Sequence, residues 1–216
     1  MQAHFAGRLM GSLVGLLVLA GCVPTPAPPT ITELLDGPKF ATQREAAAAK
    51  ADALAEKVVQ RSGLAEVVVL KTTWCGEGQN NAKVHDGYRI RCSATRSTYL
   101  AWDGAFLSQQ GKILGALAED CVRTLSGPLD PVPHSSQHFL DGPNYACDSN
   151  LSVVTSWATV GVIDSTSSDF DPHCEHSSLR CQQVETPDLI FKKLSKHKWF
   201  MRMSVQSVYY TETVNR

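Results

Sequence analysis

The residues of this chain that could do chemistry are densest between positions 169 and 181. Residues 169–176 read DFDPHCEH, and Cys181 follows five positions after the last histidine. Imidazole, thiolate and carboxylate groups are the ligands that zinc and other divalent cations take in proteins. The candidate metal ligands are His173, His176, Asp169 and Asp171. The competing prediction is a disulfide between Cys174 and Cys181 that pins a solvated surface loop.

Sequence motifs for covalent catalysis or phosphate binding are absent. The chain contains no Gly-x-Ser-x-Gly pentapeptide and no Gly-rich phosphate-binding fingerprint. His134 and His138 could share a ligand only on a helix, and the prolines before them disfavour one. We therefore predict no catalytic residue and no cofactor. The alternative is an enzyme whose catalytic groups lie in two long loops, with His173 and His176 as the leading candidates for catalytic residues.

The N-terminus ends an apolar segment with Leu19-Ala20-Gly21-Cys22. This order resembles the lipobox of bacterial lipoproteins. The resemblance implies a signal peptide over residues 1–21, a diacylglyceryl modification on Cys22 and acyl chains such as palmitate. Thirteen apolar residues would make a helix of about 20 Å, which is too short to cross a membrane. The alternative is an ordinary signal peptide cut nearby, with Cys22 a free thiol or a disulfide partner.

A proline-rich stretch follows Cys22. Alternating prolines favour extended polyproline II, so residues 22–40 are predicted to be a tether that holds the rest off the membrane by up to about 50 Å. Residues 41–216 are a size that suits one α+β extracytoplasmic domain. The predicted location is the bacterial cell envelope, anchored by lipid to the membrane.

Six cysteines remain once Cys22 is set aside, and an even number in an exported protein indicates three disulfides. Fifteen pairings are possible. Nearest neighbours along the chain would each add about 2–4 kcal/mol of stability if the native geometry is unstrained. These pairs are Cys75 with Cys92, Cys121 with Cys147, and Cys174 with Cys181.

The charge balance excludes one class of partner. With 20 basic and 21 acidic residues the chain lacks the basic excess that nucleic-acid binding needs. A run of four lysines near the C-terminus, Lys192, Lys193, Lys196 and Lys198, is typical of a solvated helix face. The expected partners are the membrane, through the N-terminal lipid, and an envelope protein, wall polymer or small ligand.

Hydrophobic periodicity predicts the elements of the domain. A capping box at Thr42 and Glu45 should start a helix that runs to Arg61, and residues 106–121 should form a second helix with Leu107 on its buried side. A short third helix should start at Thr186 and Pro187. The predicted strands cover residues 65–74, 88–102, 151–163 and 199–211, and the predicted long loops cover residues 126–150 and 164–185.

These elements indicate an α+β fold with about four largely antiparallel strands and two main helices on one face, stabilised by disulfides. Their order suggests a duplicated helix-strand-strand unit. Aromatic residues on the strands are expected in the core. We predict a membrane-anchored lipoprotein that works as a binding or interaction module, with an enzyme or metal-binding protein using residues 169–176 as the alternative.

Overall fold

The computed structural model describes residues 27–81, 83–125, 140–159, 178–183 and 185–214. Short connections join helices and strands along most of this length. The helices are α1 (Ile31–Asp36), α2 (Ala41–Ser62), α3 (Phe106–Ala118) and α4 (Pro187–Leu194), with a 3-10 helix at Pro38–Phe40. The strands are β1 (Ala65–Glu77), β2 (Tyr88–Trp102), β3 (Val122–Leu125), β4 (Leu140–Ala146), β5 (Leu151–Thr159), β6 (Leu179–Gln183) and β7 (Trp199–Thr213).

All the strands belong to one antiparallel sheet, which confirms the α+β class. In the described part of the chain the sheet has seven strands in the order β3-β4-β5-β7-β2-β1-β6. The four expected strands are neighbours in the order β5-β7-β2-β1, and β2 pairs with β7 over almost its whole length. The predicted count of four is wrong, because β3, β4 and β6 extend the sheet at its two edges. The duplication stays a prediction.

The missed strands carry residues that are typical of loops. β4 contains Gly142 and Pro143, and its pairing with β5 is irregular between Asp141 and Asn144. Pro143 lies in this irregularity, where a strand tolerates a residue that cannot donate. A Cβ on Gly142 would lie 2.7 Å from the indole ring of Trp157, so the backbone approaches that ring too closely for a side chain. The glycine in this strand therefore allows its backbone to pack directly against Trp157.

Helices cover both faces of the sheet. α2 and α3 pack together on one face, where Leu100, Met201 and Met203 are fully buried beneath them. The expectation of two main helices is only partly correct, because the described residues form four α-helices, of which α2 and α3 share this face. The buried residues of α2 include Ala47, Ala51 and Ala55, whose small side chains allow the helix to lie close to the strands. α4 covers part of the other face, where Ile190 and Leu194 share a buried apolar cluster with Tyr99 and Phe200.

Helix ends follow local signals only in part. α2 begins at Ala41 and no side chain caps it, so the predicted capping box at Thr42 and Glu45 is wrong. Gly63 ends the helix at a φ of 65°, a left-handed conformation that suits glycine. Thr186 caps α4 as predicted. In α3 the residue Leu107 is 57% exposed, and Phe106, Gln110 and Ile113 are among those that face the core instead.

Residues 31–40 are folded and do not belong to an extended tether. Thr30 and Glu33 form a capping box. The hydroxyl of Thr30 accepts from the backbone N–H of Glu33, and the carboxylate of Glu33 accepts from the backbone N–H of Thr30. This box starts α1, and Leu34, Leu35 and Phe40 then bury their side chains against the sheet. The sequence signal for this start was the pattern Thr-x-x-Glu before an apolar pair. The tether prediction overlooked it because prolines precede it.

Candidate functional site

The structure tests few of the predicted chemical residues. Cys22, Cys174 and the predicted metal ligands His173, His176, Asp169 and Asp171 lie outside the described residues, as do His134 and His138. Within the described residues, no three His, Cys, Asp or Glu side chains come together in a way that could hold a metal ion. The helices described are also too short or too polar to cross a membrane.

Every cysteine in the described part of the chain is disulfide-bonded. Cys75 is joined to Cys92 and Cys121 to Cys147, the two pairs that chain order predicts. Cys181 is also in a disulfide. Cys75 and Cys92 face each other directly across the β1–β2 hairpin and neither is exposed to solvent. The cysteines are thus used as covalent links.

The Cys75–Cys92 disulfide lies at the end of the sheet to which the N-terminal segment is attached. We call this the loop end: it comprises α1, the 3-10 helix, residues 78–81 and 83–87 of the β1–β2 loop, and the last residues of β7. Leu34, Leu35 and Phe40 pack on the disulfide and on Ile90. The ring of Phe40 meets Tyr210 edge to face at a centroid distance of 5.7 Å. A small apolar cluster therefore joins α1 to three strands.

Hydrogen bonds to backbone carbonyls hold α1 in place. The hydroxyl of Tyr209 donates to the carbonyl oxygen of Leu34 at 3.1 Å. The guanidinium of Arg44 donates to the same carbonyl at 3.1 Å and to that of Gly37 at 2.9 Å. These bonds satisfy acceptors that the end of a helix otherwise leaves without partners. Burial raises the pKa of Tyr209 to about 12, so its hydroxyl remains a donor at neutral pH.

Charged groups tie the same region to the edge strand. Arg180 of β6 contacts both carboxylate oxygens of Asp36, at 3.0 and 2.7 Å. This bond raises the pKa of the Arg180 guanidinium. Both side chains are partly solvated, so the pair orients α1 more than it stabilises the fold.

The β1–β2 loop is ordered by its own side chains. The amide oxygen of Asn81 accepts from the backbone of Lys83 and Val84 at 2.9 and 3.0 Å. The carboxylate of Asp86 accepts from the backbone of Gln79 at 2.6 Å. Val84 is 40% exposed at the turn that results. These bonds hold the described part of the loop, with the apolar side chain of Val84 partly in solvent.

A cavity of about 180 Å³ lies beside α1. Its walls include Ala27, Pro29, Glu33, Gly37, Lys39 and Phe40. The ammonium of Lys39 is 5.5 Å from the centre of the Phe40 ring. No buried polar group without a partner points from these walls, so the cavity has no sign of a specific ligand in the described residues.

A buried arginine outside the loop end serves the fold. Arg96 is buried between α2 and the sheet and bonds to Glu56 and Glu66, each at 2.8 Å. Burial acts to lower the pKa of Arg96, but the bonds from Glu66 and Glu56 outweigh it and the net pKa is raised. The guanidinium thus stays charged and links helix to strands.

One histidine and one aspartate are in contact in the described residues. Nδ1 of His197 lies 3.2 Å from a carboxylate oxygen of Asp103, whose other oxygen accepts from the backbone of Lys198. The hydroxyl of Ser195 donates to the carbonyl of Lys192. The contact closes the turn before β7 and does not assemble a hydrolytic triad.

Comparisons with protein-family models, curated proteins and solved structures found no match to this chain.

Proposed function

We propose that this protein is a lipid-anchored module of the bacterial cell envelope that acts outside the cytoplasm by binding a partner. One observation supports a location outside the cytoplasm. All five cysteines in the described residues are disulfide-bonded. Such bonds persist in oxidising compartments and are rare in the cytoplasm. The lipobox at residues 19–22 supplies the membrane attachment in this proposal.

The folded N-terminal segment supports a short attachment. Because α1 begins at Ile31 and Thr30 caps it, at most residues 22–29 are left for a tether in this proposal. Eight residues in polyproline II reach about 25 Å, half the length expected from the sequence. The domain in this proposal stands close to the bilayer, and its partner is an envelope protein, a wall polymer or a small ligand.

The use of the charged residues favours binding over catalysis. Arg96, Arg180 and the His197–Asp103 pair are each engaged in contacts that hold elements together. The alternative role, metal binding or catalysis by residues 169–176, loses one ligand, because an oxidised Cys181 cannot provide a thiolate. A site there would have to rely on His173, His176 and neighbouring carboxylates.

Metabolic labelling tests the proposal. The full chain and a Cys22→Ala variant are expressed in a bacterial host that is fed an alkyne fatty acid, and the proteins are purified and conjugated to a fluorophore. We expect label and membrane association in the parent protein and neither in the variant. Alkylation without reductant should leave Cys75, Cys92, Cys121, Cys147 and Cys181 unmodified. Label on the variant, or free thiols at these positions, would contradict the proposal.

A further inference from the structure

Chain length restricts which end of the domain lies near the bilayer. A chain can span at most about 3.6 Å per residue, so Thr30 stays within about 29 Å of a lipid-modified Cys22. Thr30 caps α1, which belongs to the loop end. The opposite end of the sheet, where Trp102 pairs with Trp199, is 14 residues along β2 from Tyr88. At about 3.3 Å per residue that distance is roughly 46 Å.

Four exposed side chains at the loop end, two valines and two lysines, are of the kind that lipid headgroups accept. Val84 and Val214 are each 40% exposed. They lie on adjoining segments, since the backbone N–H of Val214 approaches the carbonyl of Gly87 at 3.5 Å. Lys83 and Lys39 are exposed at the same end. Apolar side chains flanked by lysines suit an interface where headgroup phosphates meet hydrocarbon.

Several carboxylates at this end are already engaged within the protein. Asp36 is held by Arg180, and Glu212 accepts from Arg89 at 2.6 Å. Asp86 accepts from the backbone of Gln79, and Glu33 from that of Thr30. Arg180 and Arg89 therefore offset the charge of Asp36 and Glu212 locally, whereas Asp86 and Glu33 stay ionised. A headgroup phosphate at this end would have Lys83 and Lys39 as its partners.

We propose that the loop end rests on the phospholipid surface, with Lys83, Val84, Val214 and Lys39 as its contact residues. This inference depends on the lipid anchor of the proposed function and adds an orientation to it. The contact is weak without the anchor, because two partly exposed valines bury little area, and it becomes effective when the tether keeps the loop end at the surface. The end that carries Trp102 and the start of α3 then points away from the bilayer, toward partners.

Photocrosslinking from the lipid headgroup tests this orientation. The lipidated full chain is reconstituted in vesicles of phosphatidylethanolamine and phosphatidylglycerol that contain a phosphatidylethanolamine with a diazirine on its headgroup. Peptide mapping after illumination locates the crosslinks, and the mass of the N-terminal peptide reports independently whether Cys22 carries lipid. We expect crosslinks at residues 38–40, 83–87 and 213–214, and their loss in the Cys22→Ala variant.

A matched pair of variants separates contact from mere proximity. Lys83→Glu with Val84→Asp alters the loop end, and Leu107→Asp alters a side chain that is 57% exposed at the start of α3. All these positions are exposed, so unchanged thermal unfolding serves as the control for folding. The first variant should lose most crosslinks at residues 83–87, and the second should retain them.

The outcomes distinguish the two proposals. Crosslinks spread evenly over a lipidated protein, or concentrated near Leu107, would overturn the orientation and leave the anchor standing. Equal crosslinking of the Lys83→Glu/Val84→Asp variant at residues 83–87 would also overturn it. An N-terminal peptide without lipid would overturn both the anchor and the orientation that rests on it.

Discussion

The α1 region consists of α1, the 3-10 helix and the Cys75–Cys92 disulfide, and the α3 region consists of α3 with Trp102, Trp157 and Trp199. Each packs a helix on the same face of the sheet, but by different means. α1 has six residues and is held by Leu34, Leu35, hydrogen bonds to its carbonyls and an ion pair. α3 contributes to a large aromatic cluster in which Phe106 meets three tryptophans at centroid distances of 5.1 to 6.1 Å: Trp102, Trp157 and Trp199. Buried aromatic area is the larger source of stability.

This difference predicts two levels of stability within one sheet. Segments with few buried apolar contacts open at a lower free energy than the segments that form the main core. The α1 region should therefore open locally, while the α3 region should open only when the whole domain unfolds. The part of the fold nearest the proposed lipid anchor would then open at the lower free energy.

Removing a tryptophan from the α3 region should have the largest effect. Trp157 is fully buried, and a Trp157→Ala substitution should lower the free energy of unfolding by about 3–5 kcal/mol through lost burial and a cavity. Val154 on the same strand is 46% exposed, so Val154→Ala should change it by less than about 0.5 kcal/mol. Urea unfolding of the two variants measures this. A loss below about 1 kcal/mol for Trp157→Ala would show that this cluster is not the main core.

The disulfides provide the next test. Loop closure predicts about 3 kcal/mol for Cys75–Cys92, separated by 17 residues, and about 3.5 kcal/mol for Cys121–Cys147, separated by 26. Chain entropy therefore predicts nearly the same stabilisation for the two disulfides. We expect them to differ in which part of the fold each one protects. Replacing Cys75 and Cys92 by alanine should speed amide exchange in α1, because Leu34 and Phe40 pack on that bond.

The Cys121→Ala/Cys147→Ala variant is the matched control for local opening. It should lose a similar free energy of unfolding while the amides of α1 keep their protection, since this bond lies with α3 and the core beneath it. Hydrogen exchange followed by mass spectrometry resolves the two cases. Equal exchange of α1 in both variants would mean that the two regions are not separate units.

The sequence predicts the main core better than the edges of the fold. The alternation Met201, Met203 and Val205 and the helical spacing of Ala47, Ala51 and Val58 report burial directly, and all six residues are buried. β4 and β6 were not predicted, because pairing with neighbouring strands, not their own residues, makes them strands. In β4, Gly142 and Pro143 have low strand propensity. β6 pairs with only four residues of β1.

The loop end was missed for a related reason. α1 is shorter than a helix that would be stable alone, so its existence depends on distant residues such as Tyr209 and Arg44. Only its capping box is visible in the sequence. The disulfide partners, in contrast, followed from chain order, because hairpin neighbours in sequence are neighbours across strands.

The smallest expected effect concerns the hydroxyl of Tyr209 and its dependence on pH. Burial is the main reason that the pKa of Tyr209 is raised to about 12, with Arg44 acting against it and Asp36 adding to it. A tyrosine whose folded pKa exceeds the unfolded value of about 10 stabilises the fold fully below pH 10. That contribution is lost as the pH rises through about 12, when the phenolate can no longer donate to Leu34.

A Tyr209→Phe variant should accordingly lose about 1 kcal/mol at pH 8, the usual net value of one hydrogen bond. Because the folded and unfolded pKa values of Tyr209 differ by about two units, the parent protein should lose about 2 kcal/mol between pH 10 and 12, whereas the variant has no hydroxyl to titrate. The difference should therefore shrink above about pH 10 and reverse its sign before about pH 12. Denaturant unfolding over this pH range measures it, with Tyr145→Phe in the main core as the control, because burial raises the pKa of Tyr145 too but its ring does not touch α1. If the Tyr209→Phe difference stayed constant from pH 8 to 12, the hydroxyl would not be what holds α1 to the sheet.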